Sequence, residues 1–352
     1  MHNIKKIGIR ILLILAVLFV YENVVQFLYS PYNLTGPFIA KERKALTGEI
    51  ETLLCGTSTV QRGIDPEIID SGLGTVSFNT ASSAQPLDGT YEVIKDMAKR
   101  NPVETVILGI APSTMMNKDG GTEYKTYVYN RLDGIDSKFS YLLHGCSLEE
   151  WPYILLYSAR VEDYFDGSAI QKNLEVKLSQ EYKSGKIINS NYKTKGMIAN
   201  RKKLKEEQIN TLEKGKCKLS PKSIKEQNMK QLVRIVEYCK ENQIELILVY
   251  VPLSGNAIQA YGDISEMHDY FVKFAEEQDV VFWDFNYYKE LKALFTNDKF
   301  EDKKHLNKYG AEIFSEELVS VYNRYQSGEN VETDFLDTCP YYLDLETLGE
   351  KE

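Results

Sequence analysis

Apolar and polar positions alternate in two different ways along this chain. At the start stands one long apolar run, residues 7–21, interrupted only by Gly8 and Arg10 and continued more weakly through Val24, Val25, Phe27, Leu28 and Tyr29. A run of that length in helical form crosses a bilayer. Lys5 and Lys6 precede it, which puts the amino terminus on the cytoplasmic side and the remainder outside the cell membrane, as a single-pass protein. A cleaved signal peptide and a buried core helix are the competing readings. No small-x-small cleavage site follows the run, so an uncleaved anchor over residues 1–30 is the expectation.

After an extended linker at 32–37 and a short helix at 40–51, the apolar stretches become brief and regularly spaced. Runs at 52–55, 75–78, 105–110, 244–251 and 280–285 have the length of buried strands. Stretches with helical spacing stand between and after them: from Pro66, with Asp65 as N-cap, to Asp70, then 91–99, 223–242, 263–278 and 307–325. This alternation predicts an α/β domain over 51–326, a parallel sheet covered by helices on both faces, with ligands at the carboxyl ends of the strands.

Between residues 113 and 222 the rhythm breaks. Helices are expected at 148–165 and 199–213 within a polar, lysine-rich insertion, read either as a lid or acceptor-binding surface or as a helical buttress. Residues 327–352 form an acidic tail. No internal repeat is present.

Composition changes the picture in two places. The net charge of −9 argues against a nucleic-acid partner. The five cysteines are scattered without metal-like spacing, so neither a disulfide framework nor a zinc site is expected, and no cofactor is implied. Tyr124, Tyr127, Tyr129 and Tyr141 offer aromatic faces for sugar rings or are simple filler. Lys193, Lys195, Arg201, Lys202, Lys203 and Lys205 form either a surface for an anionic polymer or a solvated face. Asp284, ending the fifth strand, reaches the site's rim or caps a loop.

The chemistry concentrates in two segments far apart in sequence. Ser58 follows a strand through Gly56-Thr57 and enters a helix, which places its hydroxyl at a strand's carboxyl end beside backbone N–H groups; a plain turn serine is the alternative. Of four histidines, His305 alone lies in a loop beside a carboxylate, Asp302, three residues earlier. A carboxylate orienting an imidazole that takes a serine's proton is the arrangement of an activated nucleophile. A structural pair capping the last helix is the other reading. Thr59-Val60 after the serine excludes the Gly-x-Ser-x-Gly elbow.

Gly56-Thr57-Ser58, with Thr57 where Asp is usual, and Asp302 to His305 followed by Leu306-Asn307 and Gly310-Ala311 resemble the paired blocks of the SGNH/GDSL hydrolase superfamily. With Gly63-Ile64-Asp65-Pro66, the pattern looks most like its membrane-anchored branch, the D-alanyl transfer proteins and alginate acetyltransferases. The resemblance implies a flavodoxin-like three-layer sandwich and a Ser58 nucleophile, His305 base and Asp302 orienter. It also implies an acyl ester of a cell-surface polysaccharide or wall polymer as substrate, with an integral-membrane acyltransferase as a partner. The oxyanion donors would be the Ser58 N–H and the loop 78–83, with Asn79, Ser82 and Ser83 as candidates. Where the family carries Gly-x-Asn-Asp this chain has Gly109-Ile110-Ala111-Pro112-Ser113, so Asn79 or Ser113 would have to supply any side-chain donor.

Overall fold

The computed structural model describes residues 2–117, 121–184, 189, 191–205 and 219–342, and these form two compact units. One contains residues 1–38 and 146–190, the other 39–145 and 191–352.

In the first unit the helix His2–Tyr29 includes a stretch, Lys5–Tyr29, long and apolar enough to cross a membrane. The last carbonyls of a helix lack partners within it. Here Asn173 donates to Leu28 O at 2.9 Å and the Lys177 ammonium to Phe27 O at 2.6 Å, so the helix Gly167–Lys177 closes that end. The stretch expected as one helix over 148–165 is instead broken into Trp151–Leu155 and a 3-10 turn, Tyr157–Arg160. Pro152 explains the start, because proline is tolerated only in a first helical turn.

The second unit holds a five-stranded parallel sheet: β1 Thr52–Cys55, β2 Ser77–Asn79, β3 Thr105–Gly109, β4 Glu245–Tyr250 and β5 Val281–Asp284, in the order β2-β1-β3-β4-β5. Leu54 of β1 stands beside Asn79 and Ile107, and Val249 of β4 beside Gly109 and Trp283. β1 and β3 are buried at every position, as parallel strands covered on both faces must be. Right-handed crossovers put the helices after β1 on one face and those before β3, β4 and β5 on the other. Accordingly Lys308–Gln326 packs with Ser58–Gly63 and Pro66–Leu73, while Glu226–Glu241 packs with Leu87–Ala98. This is the three-layer, flavodoxin-like order, and its reversal lies between β1 and β3.

Two glycines let the helix carrying Ser58 sit on that reversal. A Cβ on Gly109 would lie 2.1 Å from Val60 Cγ2; on Gly56, whose φ is +139°, it would lie 2.9 Å from Gly109 O and from Val60 Cγ2. Gly56→Ala is expected to destabilise the fold by roughly 3 kcal/mol, from a left-handed backbone and a close approach together. The midpoint of urea unfolding measures it; an unchanged midpoint would mean the β1–β3 junction relaxes freely.

Several expected elements shift. The helix placed at 40–51 runs Gly36–Ala45 and is followed by a turn in which Gly48 has φ +92°. Residues 199–205, expected as the first half of a helix, have no helical structure and bond to the loop before the last helix and to that helix's first residue: Leu204 N donates to Phe300 O and Lys308 N to Asn200 O. The second half of that expectation, 206–213, lies outside the described residues. The helices Thr122–Arg131 and Ile135–Gly145 fill part of the insertion.

Candidate active site

Ser58 opens the six-residue helix after β1, half-buried, and Thr57 supplies its extended N-cap. As first-turn residues Ser58 and Thr59 have N–H groups outside the helical ladder. His305 reaches Ser58 from the other end of the chain, with Nε2 2.8 Å from the serine Oγ. Its Nδ1 lies 2.8 Å from Asp302 Oδ2 and 3.0 Å from Oδ1. A carboxylate only accepts, so in the neutral ring Nδ1 carries the proton and Nε2 is free to accept from the serine.

Asp302 is itself held: Oδ1 accepts from Lys304 N at 2.9 Å and His305 N at 3.0 Å. Burial alone would raise its pKa, but the hydrogen bond and charge of His305, with the two backbone donors, bring it down to about 2. Asp302 is therefore a carboxylate across the neutral and mildly acidic range.

The loop that presents these two residues is tied at several points. Phe300 and Leu306 form a bridge, and Glu301 N donates to His305 O at 2.9 Å. Asn307, fully buried, caps the last helix by accepting from Tyr309 N and Gly310 N, while its amide donates to Asp298 O at 2.7 Å. A Cβ on Gly310 would fall 2.2 Å from Lys299 O, so the glycine permits the loop's close return. Ser254, beyond β4, donates to Lys303 O at 2.8 Å. Glu301, Asp302 and His305 bring ligand-type atoms within 4.8 Å of one another, the spacing of a cation site. The arrangement fits a proton relay better, because Arg62 already pairs with Glu301 and both His305 nitrogens are engaged.

Ser58 and His305 line a cavity of about 300 Å³ with Thr57, Thr59, Ala84, Asp88, Thr114, Asn117, Tyr124, Gln227 and Lys304 among its walls. The loop after β2 forms one wall. Asn79 does not face the cavity: its amide donates to Val60 O at 3.0 Å and Ile64 O at 3.2 Å, and Oδ1 accepts from Ala81 N. It clamps the Ser58 helix, and neither N–H is left for a substrate. Ser82 is buried, its hydroxyl donating to Gln85 Oε1 at 2.8 Å. Ser83 is half-buried in the same loop, and Ala84, at φ 42°, and Pro86 are the loop residues that reach the cavity. Ser113 belongs to the short helix Pro112–Met116, and its side chain lies outside the described residues.

Several residues outside the Ser58–His305–Asp302 series have partners of their own. Arg131, buried, donates to Thr80 O at 2.9 Å and Ala81 O at 2.8 Å, which ties the helix Thr122–Arg131 to the loop after β2. Burial and the neighbouring charge of Arg43 lower its pKa to about 9. No sequence signal marks it. Lys193 pairs with Asp65 and Glu67, and Lys195 with Asp70, so these two cations fasten this part of the insertion to the helix Pro66–Leu73 and its N-cap. Tyr141 is fully buried, whereas Tyr124 lines the cavity. Asp284 accepts from His268 Nδ1 at 2.9 Å and from Asn286 N at 2.9 Å, which makes it a loop cap.

Neither a family model nor a curated protein matches the chain. Among solved structures, it is similar to a protein described as lipolytic, of the G-D-S-L family, from Desulfitobacterium hafniense DCB-2, at 10% identity and TM-score 0.36, covering 76% of this chain and 98% of that one. A GDSL-like lipase from Bacteroides thetaiotaomicron VPI-5482 is similar at 11% identity and TM-score 0.36, with 85% and 99% covered.

Proposed function

We propose that this chain is a serine acyl-ester enzyme in which Ser58 is the nucleophile, His305 the general base and Asp302 the residue that holds the imidazole. One observation carries the reading: the hydrogen-bonded series Ser58–His305–Asp302 at the strand ends, opening on a cavity of about 300 Å³. His305 Nε2 takes the serine proton as Oγ attacks the ester carbonyl. The imidazolium then returns that proton to the leaving alkoxide, leaving an acyl-enzyme. The Ser58 N–H and the backbone of the loop after β2 stabilise the oxyanion.

Water or a hydroxyl acceptor releases the acyl group. The substrate is an O-acylated cell-surface polysaccharide or wall polymer, handled outside the membrane by a protein anchored through its first helix, with an integral-membrane acyltransferase as acyl donor. The support for this finer reading is the apolar helix Lys5–Tyr29 and a cavity walled by hydroxyl, amide and phenol groups suited to sugars.

The test is the full-length protein in detergent with an activated acetyl ester, with and without oligosaccharide acceptors. Acyl-sugar accumulating at the expense of free acid is the expected result. Hydrolysis indifferent to every acceptor would assign an esterase of small substrates. No turnover and no fluorophosphonate adduct on Ser58 would leave a binding or assembly subunit.

A further inference from the structure

Arg62 lies four residues after Ser58, one turn along the same helix, and pairs with Glu301, the residue before Asp302. The pair joins segments 239 residues apart in sequence. We propose that Arg62 and Glu301 are positioning residues that lock the loop bearing the base onto the helix bearing the nucleophile; this rests on the triad reading above.

Neither side chain lines the cavity, so neither meets a substrate there. The Glu301 side chain is 3% exposed and Arg62 29%. A carboxylate that deep is sustained only by a partner, and removing one member of a buried pair leaves an uncompensated charge. Glu301 Oε2 and Arg62 Nε are buried without a further partner among the described residues, so the pair is one contact short of a two-point fork. Burial lowers the Arg62 pKa, and the nearby charge of Asp302 opposes that shift. The pair is thus attached at both ends to the relay: through the helix to Ser58, and through one peptide bond to Asp302. If Glu301 swings out to water, Asp302 and His305 move with it, and an error of about 1 Å in such geometry costs on the order of a hundredfold in rate.

The experiment measures kcat and KM for an activated acetyl ester in full-length protein, alongside Ser58→Ala. Arg62→Met is expected to lower kcat about a hundredfold with KM unchanged. Arg62→Lys, which keeps the charge but not the planar guanidinium, should fall between. Glu301→Gln, which keeps shape and hydrogen bonding, should lose about tenfold. The double variant Arg62→Met/Glu301→Leu should be less impaired than Arg62→Met alone, because no buried charge is stranded. A purely structural role would lower the thermal midpoint without confining the defect to kcat. Wild-type kcat in Arg62→Met while Ser58→Ala is inactive would overturn the positioning pair and leave the triad standing; full activity in Ser58→Ala would overturn the triad itself. Should Arg62→Met fail to fold, wild-type kcat in both Arg62→Lys and Glu301→Gln overturns the proposal.

Discussion

Ser58→Ala and His305→Ala should each reduce turnover of an activated acetyl ester by at least about a thousandfold, the usual cost of removing a member of such a relay. The size follows from the geometry. At 2.8 Å, Ser58 Oγ and His305 Nε2 share one proton, so without the imidazole the hydroxyl stays a poor nucleophile, and without the hydroxyl there is nothing to acylate. The two losses act on one step, so the double variant should be no worse than either single one. Ser58 and His305 are half-buried at the cavity wall and outside the hydrophobic core, so the circular dichroism spectrum should not change. A fluorophosphonate adduct should form on Ser58 in the native protein and on neither variant. Retention of activity by both variants would remove the triad from consideration.

What the sequence made legible is the part set by local physics. The strands follow from short apolar runs, and their parallel direction from the strand–helix alternation, whereas the flavodoxin-like arrangement came from the family resemblance; the Ser58 turn follows from Gly56, which carries a positive φ. Asp302 and His305 are neighbours in sequence, so their pairing needs no long-range information. What was not legible depends on distant partners. Asn79 and Ser82 read as donors for a substrate because a loop after a strand exposes such groups; only the fold brings Val60 O, Ile64 O and Gln85 to them. The lysine-rich stretch from 199 reads as helix by propensity, and hydrogen bonds to Phe300 and Lys308 override it. Arg131 looks like an ordinary helix cation until Thr80 and Ala81 turn their carbonyls to it. Arg62 had a usable signal, its spacing of four from the serine, and Glu301 its adjacency to Asp302.

Asp302→Asn should be nearly as damaging as loss of the base itself, about ten-thousandfold in kcat, although it changes a single atom. In the native protein Oδ1 accepts from two backbone N–H groups and Oδ2 from His305 Nδ1. The carboxamide must keep its oxygen toward the two backbone donors, which puts its NH2 against Nδ1. The ring then answers with the other tautomer, proton on Nε2, and that nitrogen donates toward Ser58 instead of accepting from it. The serine keeps its proton and the relay stops, with no atom displaced. Stability supplies an independent check with a fixed sign. The Asp302 pKa is depressed in the folded protein, to about 2 against about 3.9 in an unfolded chain, so its contribution is present above the unfolded value and disappears as pH falls through the folded one. The native protein should be more stable than Asp302→Asn near neutral pH, modestly, because the carboxylate is 46% exposed. That difference should close between about pH 4 and pH 2. Equal urea midpoints at neutral pH, or a gap that persists at the acid end, would mean that the carboxylate does not hold His305 in the way the hydrogen bonds describe.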